Sequence, residues 1–265
     1  MSDSLNLTYN TIDEQNSEQS ASTRRQLVAG AAVTLGGLGL LSMPELAGAN
    51  HIKNIDPQTI LNVAATAEVL ATIVNTVGFE RRLGGDDTTQ RNIEAAAREE
   101  LIHYDVLVSS AVGGKALTKQ IHVPDEVFSN RTKFLEAITY GDQVFINAYM
   151  IGTTVFGNAG NGRLARITSE FMGVEAVHRA LARQSLGRLG NDRAFVKYSQ
   201  PETADGDTRT PNGAGFQRIT TAVTQLEAAG FGFGKAGSKP GQMFDFDTVR
   251  QRTPNPADVN TRSPR

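Results

Sequence analysis

The chain has 265 residues, a formal net charge of −2 at pH 7, and neither cysteine nor tryptophan. Its length allows one domain with a substantial core plus additional segments, and its near-neutral charge gives no sign of a basic surface for nucleic acid. A sequence without cysteine has no disulfide, thiolate metal site or iron–sulfur cluster, so a metal site here must use histidine and carboxylates, which suit Fe, Mn or Zn.

The first 49 residues have the pattern of an export signal. A polar stretch leads to Arg24 and Arg25, and a short, apolar, glycine-rich run follows. A small-x-small sequence then predicts cleavage after Ala49. A twin arginine before such a run resembles a twin-arginine (Tat) signal, which predicts contact with the Tat translocase during export and a periplasmic or extracellular location. The apolar run, about fifteen residues, is short for a membrane span, but an uncleaved anchor or an ordinary Sec signal stays an alternative.

Two helices are predicted next along the chain. Asp56 and Pro57 form an N-cap followed by proline at the first helical position, and we expect this helix to run to about residue 76, with Gly78 as its stop signal. The second helix is predicted over about residues 89–110. Each has an apolar stripe with three- and four-residue spacing. The polar members of these stripes include Glu68 in the first helix and Glu100 and His103 in the second.

A crossover of about fifteen residues, which contains Pro124, separates the second and third helices and is too long for a simple hairpin between antiparallel neighbours. Ser129 or Asn130 caps the third helix, which is predicted to run to about residue 153. The fourth helix is predicted over about residues 163–186. The polar members of these two stripes include Asp142 in the third helix and Glu175 and His178 in the fourth.

The predicted fold is all-α: a four-helix bundle over residues 55–190, with a long crossover between helices 2 and 3. A C-terminal extension over residues 191–249 is polar and glycine-rich, and a short helix is predicted in it near residues 216–229. We expect the tail over residues 250–265 to be disordered, because it combines prolines with scattered charges.

Two Glu-x-x-His sequences suggest the chemistry of the chain. Glu100 and His103 are three residues apart, as are Glu175 and His178. On a helix this spacing places a carboxylate and an imidazole on one face, one turn apart. A single Glu-x-x-His is common, but two of them on inward stripes of long helices are typical of a dinuclear metal site in a four-helix bundle.

Each Glu-x-x-His follows a helix that has one carboxylate on its stripe. Glu68 precedes Glu100 by 32 positions, and Asp142 precedes Glu175 by 33. Burying an isolated charged carboxylate on an apolar stripe would cost several kcal/mol of folding free energy, unless the group became neutral. Four such carboxylates close together would also repel one another. Two divalent ions would cancel the charge of four carboxylates. In the third helix Glu136 lies off the stripe and is interpreted as solvated.

Three other side chains near the ligand rows leave alternatives open. Glu99 lies four residues before His103 and could compete with Glu100, which we prefer because its spacing matches that in the fourth helix. Tyr104 and Tyr149 are close to the ligand rows. Each is interpreted first as a core residue and second as a partner that orients a metal ligand.

Segments 61–70, 100–103, 142–149 and 175–179, in this order, resemble the ferritin-like domain family. Within that family the chain resembles exported bacterial members akin to plant desiccation-related proteins, and the resemblance covers about residues 55–189. The motifs are fairly specific for the fold and much less specific for activity.

In that family the third-helix ligand is usually glutamate, followed seven residues later by tyrosine. Here Asp142 takes the position, with Tyr149 at the matching distance. The resemblance implies two ions of Fe or Mn, with O₂ or peroxide as reactant, and metal oxidation, O₂ activation or peroxide removal as activity. Because the chain lacks the cysteine-ligated iron domain of rubrerythrin-type peroxidases, a reaction that needs no protein electron donor is favoured.

Two hypotheses follow for the function. The first is an exported dinuclear metalloprotein that acts in oxidative or desiccation stress. The second is a non-catalytic ferritin-like stress protein of the cell envelope, with partial or no metal. The two intact Glu-x-x-His sequences favour the first, whereas Asp142 and the glycine-rich C-terminal third favour the second.

Overall fold

The computed structural model describes residues 56–191 and 218–256. The predicted export signal, with Arg24, Arg25 and the cleavage site after Ala49, lies outside the described residues. So do residues 192–217 of the predicted extension and residues 257–265 of the predicted tail.

Four long helices form most of the described structure. They are α1 (Pro57–Glu80), α2 (Asp87–Leu107), α3 (Arg131–Asn158) and α4 (Gly162–Ser185). Helix α1 packs along α2 and α3 packs along α4, and the two pairs meet through contacts of α1 with α3 and of α2 with α4. This packing is compatible with the predicted four-helix bundle.

Each long helix begins at a residue whose side chain accepts a hydrogen bond from a backbone N–H of the first turn. These residues are Asp56, Asp86, Asn130 and Asn161. Such caps satisfy donors that have no partner within the helix. Asn130, whose Oδ1 accepts from the amide of Lys133 at 3.0 Å, is therefore the cap of α3 rather than Ser129.

The predicted stop at Gly78 is wrong, because α1 continues through it to Glu80. A Cβ atom at Gly78 would lie 2.2 Å from the ring of Phe134 in α3. Glycine is therefore needed for the close approach of two helices rather than for a chain reversal. Helix α3 also runs past its predicted end, near residue 153, to Asn158.

The all-α prediction is incomplete, since the described residues also form a small sheet. The predicted crossover contains strand β1 (Gln120–Pro124) and a 3₁₀ helix (Asp125–Phe128). Strand β1 pairs in antiparallel fashion with β2 (Gly232–Phe233) on one side and β3 (Gly241–Asp245) on the other. The fold is thus mostly helical with a three-stranded sheet. Its strands are too short, and too distant in sequence, for periodicity to reveal them.

The glycine-rich stretch from the end of α5 (Ile219–Ala229) to the first residue of β3 packs closely against β1. A Cβ at Gly241 would lie 2.3 Å from the carbonyl oxygen of Val123 and 2.6 Å from Nε2 of His122. His122 is buried, and its Nε2 lies 3.0 Å from the carbonyl oxygen of Lys239. This histidine therefore stabilises the sheet and lies apart from the Glu-x-x-His sequences.

The chain after β3 returns to the long helices. Helix α6 (Phe246–Arg250) buries Phe246 and Val249. The first part of the predicted disordered tail is described as far as residue 256, and Thr253 Oγ1 there lies 3.0 Å from Thr76 Oγ1 of α1. Arg252 also pairs with Glu80 at 2.7 Å. These contacts join the C-terminal segment to the end of α1.

Among the described residues, α1 is the one helix that is long and apolar enough to cross a membrane, with a mean hydropathy of 1.6 over its most apolar window. However, 89% of that window is buried within the protein. Core packing therefore accounts for the apolar character of α1.

Candidate metal centre

The side chains of Glu68, Glu100, His103 and Glu175 meet between α1, α2 and α4. One ligand atom of each lies within 4.8 Å of those of the other three. The three glutamates are 0% exposed and His103 is 4% exposed. These four residues could hold a metal ion, and we call them the close group.

Distances within the close group are those of atoms around a common ion. His103 Nδ1 lies 3.4 Å from Glu100 Oε2, 3.6 Å from Glu68 Oε1 and 3.6 Å from Glu175 Oε1. These separations exceed those of ordinary hydrogen bonds. Ligand atoms bound to one ion at about 2.1 Å lie about 3.0 Å apart when adjacent in an octahedron and about 3.4 Å apart in a tetrahedron. The donor set therefore fits a metal ion.

Several buried atoms at the centre have no hydrogen-bond partner among the described residues. They are Glu68 Oε2, Glu100 Oε2, His103 Nδ1, Asp142 Oδ2 and both carboxylate oxygens of Glu175. A buried polar atom without a partner costs about 1–3 kcal/mol, and a charged group costs more. A cation bound among these atoms would remove that cost.

His178 extends the close group toward α3. Its Nδ1 lies 3.1 Å from Glu100 Oε1 and 3.8 Å from Glu175 Oε2. Glu100 and Glu175 therefore each present one oxygen to His103 and the other oxygen to His178. Two carboxylates placed between two imidazoles in this way are positioned to bridge two ions.

Glu99 contacts the outer side of His178. Its Oε2 lies 2.7 Å from Nε2 of His178, so in the neutral imidazole Nε2 donates its hydrogen to this carboxylate and Nδ1 stays free to bind a metal. The sequence indicates Glu99 only as a competitor of Glu100. Its contact joins α2 to α4, and a pattern along one helix could not reveal it.

Asp142 is buried in α3 with one unpartnered oxygen, but it does not belong to the close group. Burial raises the pKa of its carboxyl well above the ordinary value, and Glu175 adds to the rise. Arg179, which is 3% exposed, acts in the opposite direction on Asp142. Asp142 is thus within electrostatic reach of the His178 side of the centre, while the close group forms without it.

The ligand residues alter one another's protonation. Burial raises the pKa of Glu68 well above 4.5, and Glu100 and Glu175 add to the rise. Burial acts to lower the pKa of His103, but the three glutamates outweigh it and the pKa lies well above 6.5. Burial alone would raise the pKa of Glu100, but the two histidines outweigh it and lower that pKa. In the metal-free protein the cluster therefore retains protons that a metal ion must displace.

Two aromatic side chains enclose the Glu68 side. Tyr149 is buried and donates a hydrogen bond from its hydroxyl to Glu68 Oε1. Phe171 stacks on the ring of His103 with centroids 4.0 Å apart and meets Tyr149 edge-on at 5.6 Å. Tyr149 therefore lies where a partner that orients a metal ligand should lie.

The remaining sequence candidates lie in other contacts. Tyr104 is buried against Phe246, with ring centroids 4.5 Å apart. Glu136 is partly exposed and pairs with Arg188 at 2.7 Å. Neither residue belongs to the close group.

Comparisons of the chain with protein-family models, with curated proteins and with solved structures found no match. The geometry of the buried cluster is therefore the main basis for a functional conclusion.

We expect Glu99→Gln to weaken binding of Mn²⁺ by about 10-fold or more, because the neutral amide holds the His178 ring less firmly than the carboxylate does. Competition with a chromophoric chelator would measure the affinity. Glu94→Gln is the matched control, since Glu94 lies on the same helix and pairs with Arg91. Equal affinities for the Glu99→Gln and Glu94→Gln proteins would contradict the role given to Glu99.

The stability of the metal-free protein should fall as pH rises. The folded-state pKa values of His103 and His178 lie well above 6.5, so the stability that their protonation contributes is fully present below 6.5 and is lost as pH rises through the folded values. The free energy of unfolding in urea, measured between about pH 6 and about pH 9 after chelation, would test this.

Mn²⁺ should reverse that trend, because its binding displaces the protons and becomes tighter as pH rises. The same unfolding series with Mn²⁺ present is the comparison. A metal-free protein that gains stability over this range would contradict the assignment of protons to the cluster.

Proposed function

We propose that this chain is an exported ferritin-like protein whose buried cluster holds two ions of Fe or Mn. Its proposed role is in oxidative or desiccation stress, through oxidation of metal ions or removal of peroxide. The observation that most supports the proposal is the placement of Glu100 and Glu175, each of which presents one oxygen to His103 and one to His178.

The proposed ligands come from all four long helices. Glu68 and His103 would hold one ion, Asp142 and His178 would hold the other, and the two carboxylates between the imidazoles would contact both. Bound Fe or Mn would supply redox chemistry at a coordination position open to O₂ or peroxide.

Residues around the ligands would position them and exclude water. The hydroxyl of Tyr149 holds Glu68 in place, and the ring of Phe171 covers one face of His103. On the other side Glu99 fixes the ring of His178. The sequence without cysteine offers no thiolate-bound electron donor, which favours peroxide disproportionation or metal oxidation over reactions that need such a donor.

A second candidate function is a non-catalytic stress or structural protein of the cell envelope. It is supported by the position of Asp142 outside the close group and by the positive charge of Arg179 near that carboxyl. Both features favour a second ion that is weakly held or absent. Asp142→Glu, which lengthens the side chain by one methylene, should then tighten binding of the second ion.

Metal content tests the proposal directly. Protein purified from its native export route should contain about two Fe or Mn ions per chain by elemental analysis. The double variant Glu100→Ala with His178→Ala should lose this metal, because it removes a bridging carboxylate and an imidazole. Glu136→Ala is the control, since that carboxylate pairs with Arg188 on the surface.

Negligible metal in the native protein, together with unchanged stability of the double variant, would overturn the proposal. If the protein instead holds both ions, peroxide consumption by the fully loaded protein would separate the two candidates. Turnover is expected for the first, and its absence with both ions present would leave the non-catalytic function.

The proposed export rests on residues 1–49. Replacing both Arg24 and Arg25 with lysine should leave the precursor in the cytoplasm, because the Tat pathway recognises the arginine pair. Cell fractionation with immunoblotting would measure the distribution. Export at the original level would favour a Sec signal instead.

A further inference from the structure

A pocket between the four long helices leads to His178. It has an empty volume of about 340 Å³ including its mouth, and His178 forms part of its wall. The other lining residues include Asn75 of α1, Ala96 of α2 and Ala182 of α4. Ala96 lies one helical turn before Glu100, and Ala182 lies one turn after His178, so these two small side chains flank the approach to the ligands.

Uncharged hydrogen-bonding groups are part of the lining. Thr89 Oγ1 and Ser185 Oγ lie 2.9 Å apart and join α2 to α4. The partly buried Asn92 adds an amide, and the Nδ2 of Asn75 donates to the carbonyl oxygen of Ala71 at 3.2 Å, which leaves Oδ1 of Asn75 as an acceptor. A small molecule in the pocket can therefore exchange hydrogen bonds with water for hydrogen bonds with the protein.

No aspartate, glutamate, lysine or arginine is among the described residues that line this pocket. A divalent cation would have to give up water there without anionic or carbonyl ligands arranged to replace it. A neutral molecule loses much less on leaving bulk water. The chemistry of the lining therefore selects small neutral molecules over ions.

The other pocket near the centre has a different character. It lies between α1, α3 and α5, and its lining is almost entirely aliphatic and aromatic, with Tyr149 between the pocket and Glu68. It includes none of the six proposed ligands. Its Ala222, on α5, offers a position for a control substitution.

We propose that the pocket beside His178 is the route by which water and hydrogen peroxide reach the metal centre. The inference rests on the proposed function, since it requires a metal at the buried cluster. It narrows the reactant to a small neutral hydrogen-bonding molecule and adds the side of the centre from which that molecule arrives.

The test narrows the route without changing a ligand. Ala182→Leu fills the inner part of the pocket and Asn92→Leu fills a partly buried position in its wall. Ala222→Leu makes the same change as Ala182→Leu in the other pocket. Circular dichroism and elemental analysis would establish that each variant is folded and holds as much Mn²⁺ as the original protein.

Two measurements report how fast small molecules reach the metal through the pocket. The relaxation rate of bulk water protons reports how fast water exchanges at bound Mn²⁺ and requires no catalysis. Stopped-flow mixing of Fe²⁺-loaded protein with hydrogen peroxide reports arrival of the oxidant. Both rates should fall severalfold in Ala182→Leu and Asn92→Leu and should stay unchanged in Ala222→Leu.

The outcomes distinguish failure of the proposed function from failure of the proposed route. If the original protein binds neither Mn²⁺ nor Fe²⁺, the proposed function fails and the route fails with it. If Mn²⁺ binds equally but neither rate falls in the narrowed variants, the route is overturned while the metal centre stands. An equal fall of the two rates in Ala222→Leu would also overturn the route. If Ala182→Leu does not fold, Asn92→Leu decides alone.

Discussion

The concentration of carboxylates in the interior is the constraint on which the rest of the structure depends. Glu68, Glu100 and Glu175 are fully buried, and several of their oxygens have no partner among the described residues. Such a group is costly in an apolar core, since each charge loses its water and repels the others. His178 offsets part of that cost through its hydrogen bond with Glu100, but the separations around His103 Nδ1 are too long for hydrogen bonds and suit a shared ion instead.

The helical packing keeps these side chains at ligand distance. Side-chain caps begin each long helix, and glycine at position 78 lets the ring of Phe134 approach α1. Strand β1 ties the crossover between α2 and α3 to the C-terminal segment, and Thr253 ties that segment to the end of α1. Because these contacts join distant parts of the chain, they resist separation of the two helix pairs that share the cluster.

The two sides of the centre differ in their surroundings. On one side Tyr149 and Phe171 enclose Glu68 and His103 in aromatic rings. On the other side His178 is held by Glu99 and borders a pocket with uncharged polar groups. If the cluster holds two ions as we propose, one would lie among aromatic rings and the other beside this pocket.

The sequence by itself determined the long helices, the cap of α1 and the two Glu-x-x-His sequences, because these depend on neighbours within a few residues along the chain. Only the tertiary structure decided that Gly78 lies within a helix, that the crossover contains a strand, and that Glu99 contacts His178 from another helix. It also placed Asp142 outside the close group, which its position on the stripe does not reveal. The physical reason is the same in each case: these features depend on contacts between elements that are far apart in sequence, and a pattern along one element contains no measure of those distances.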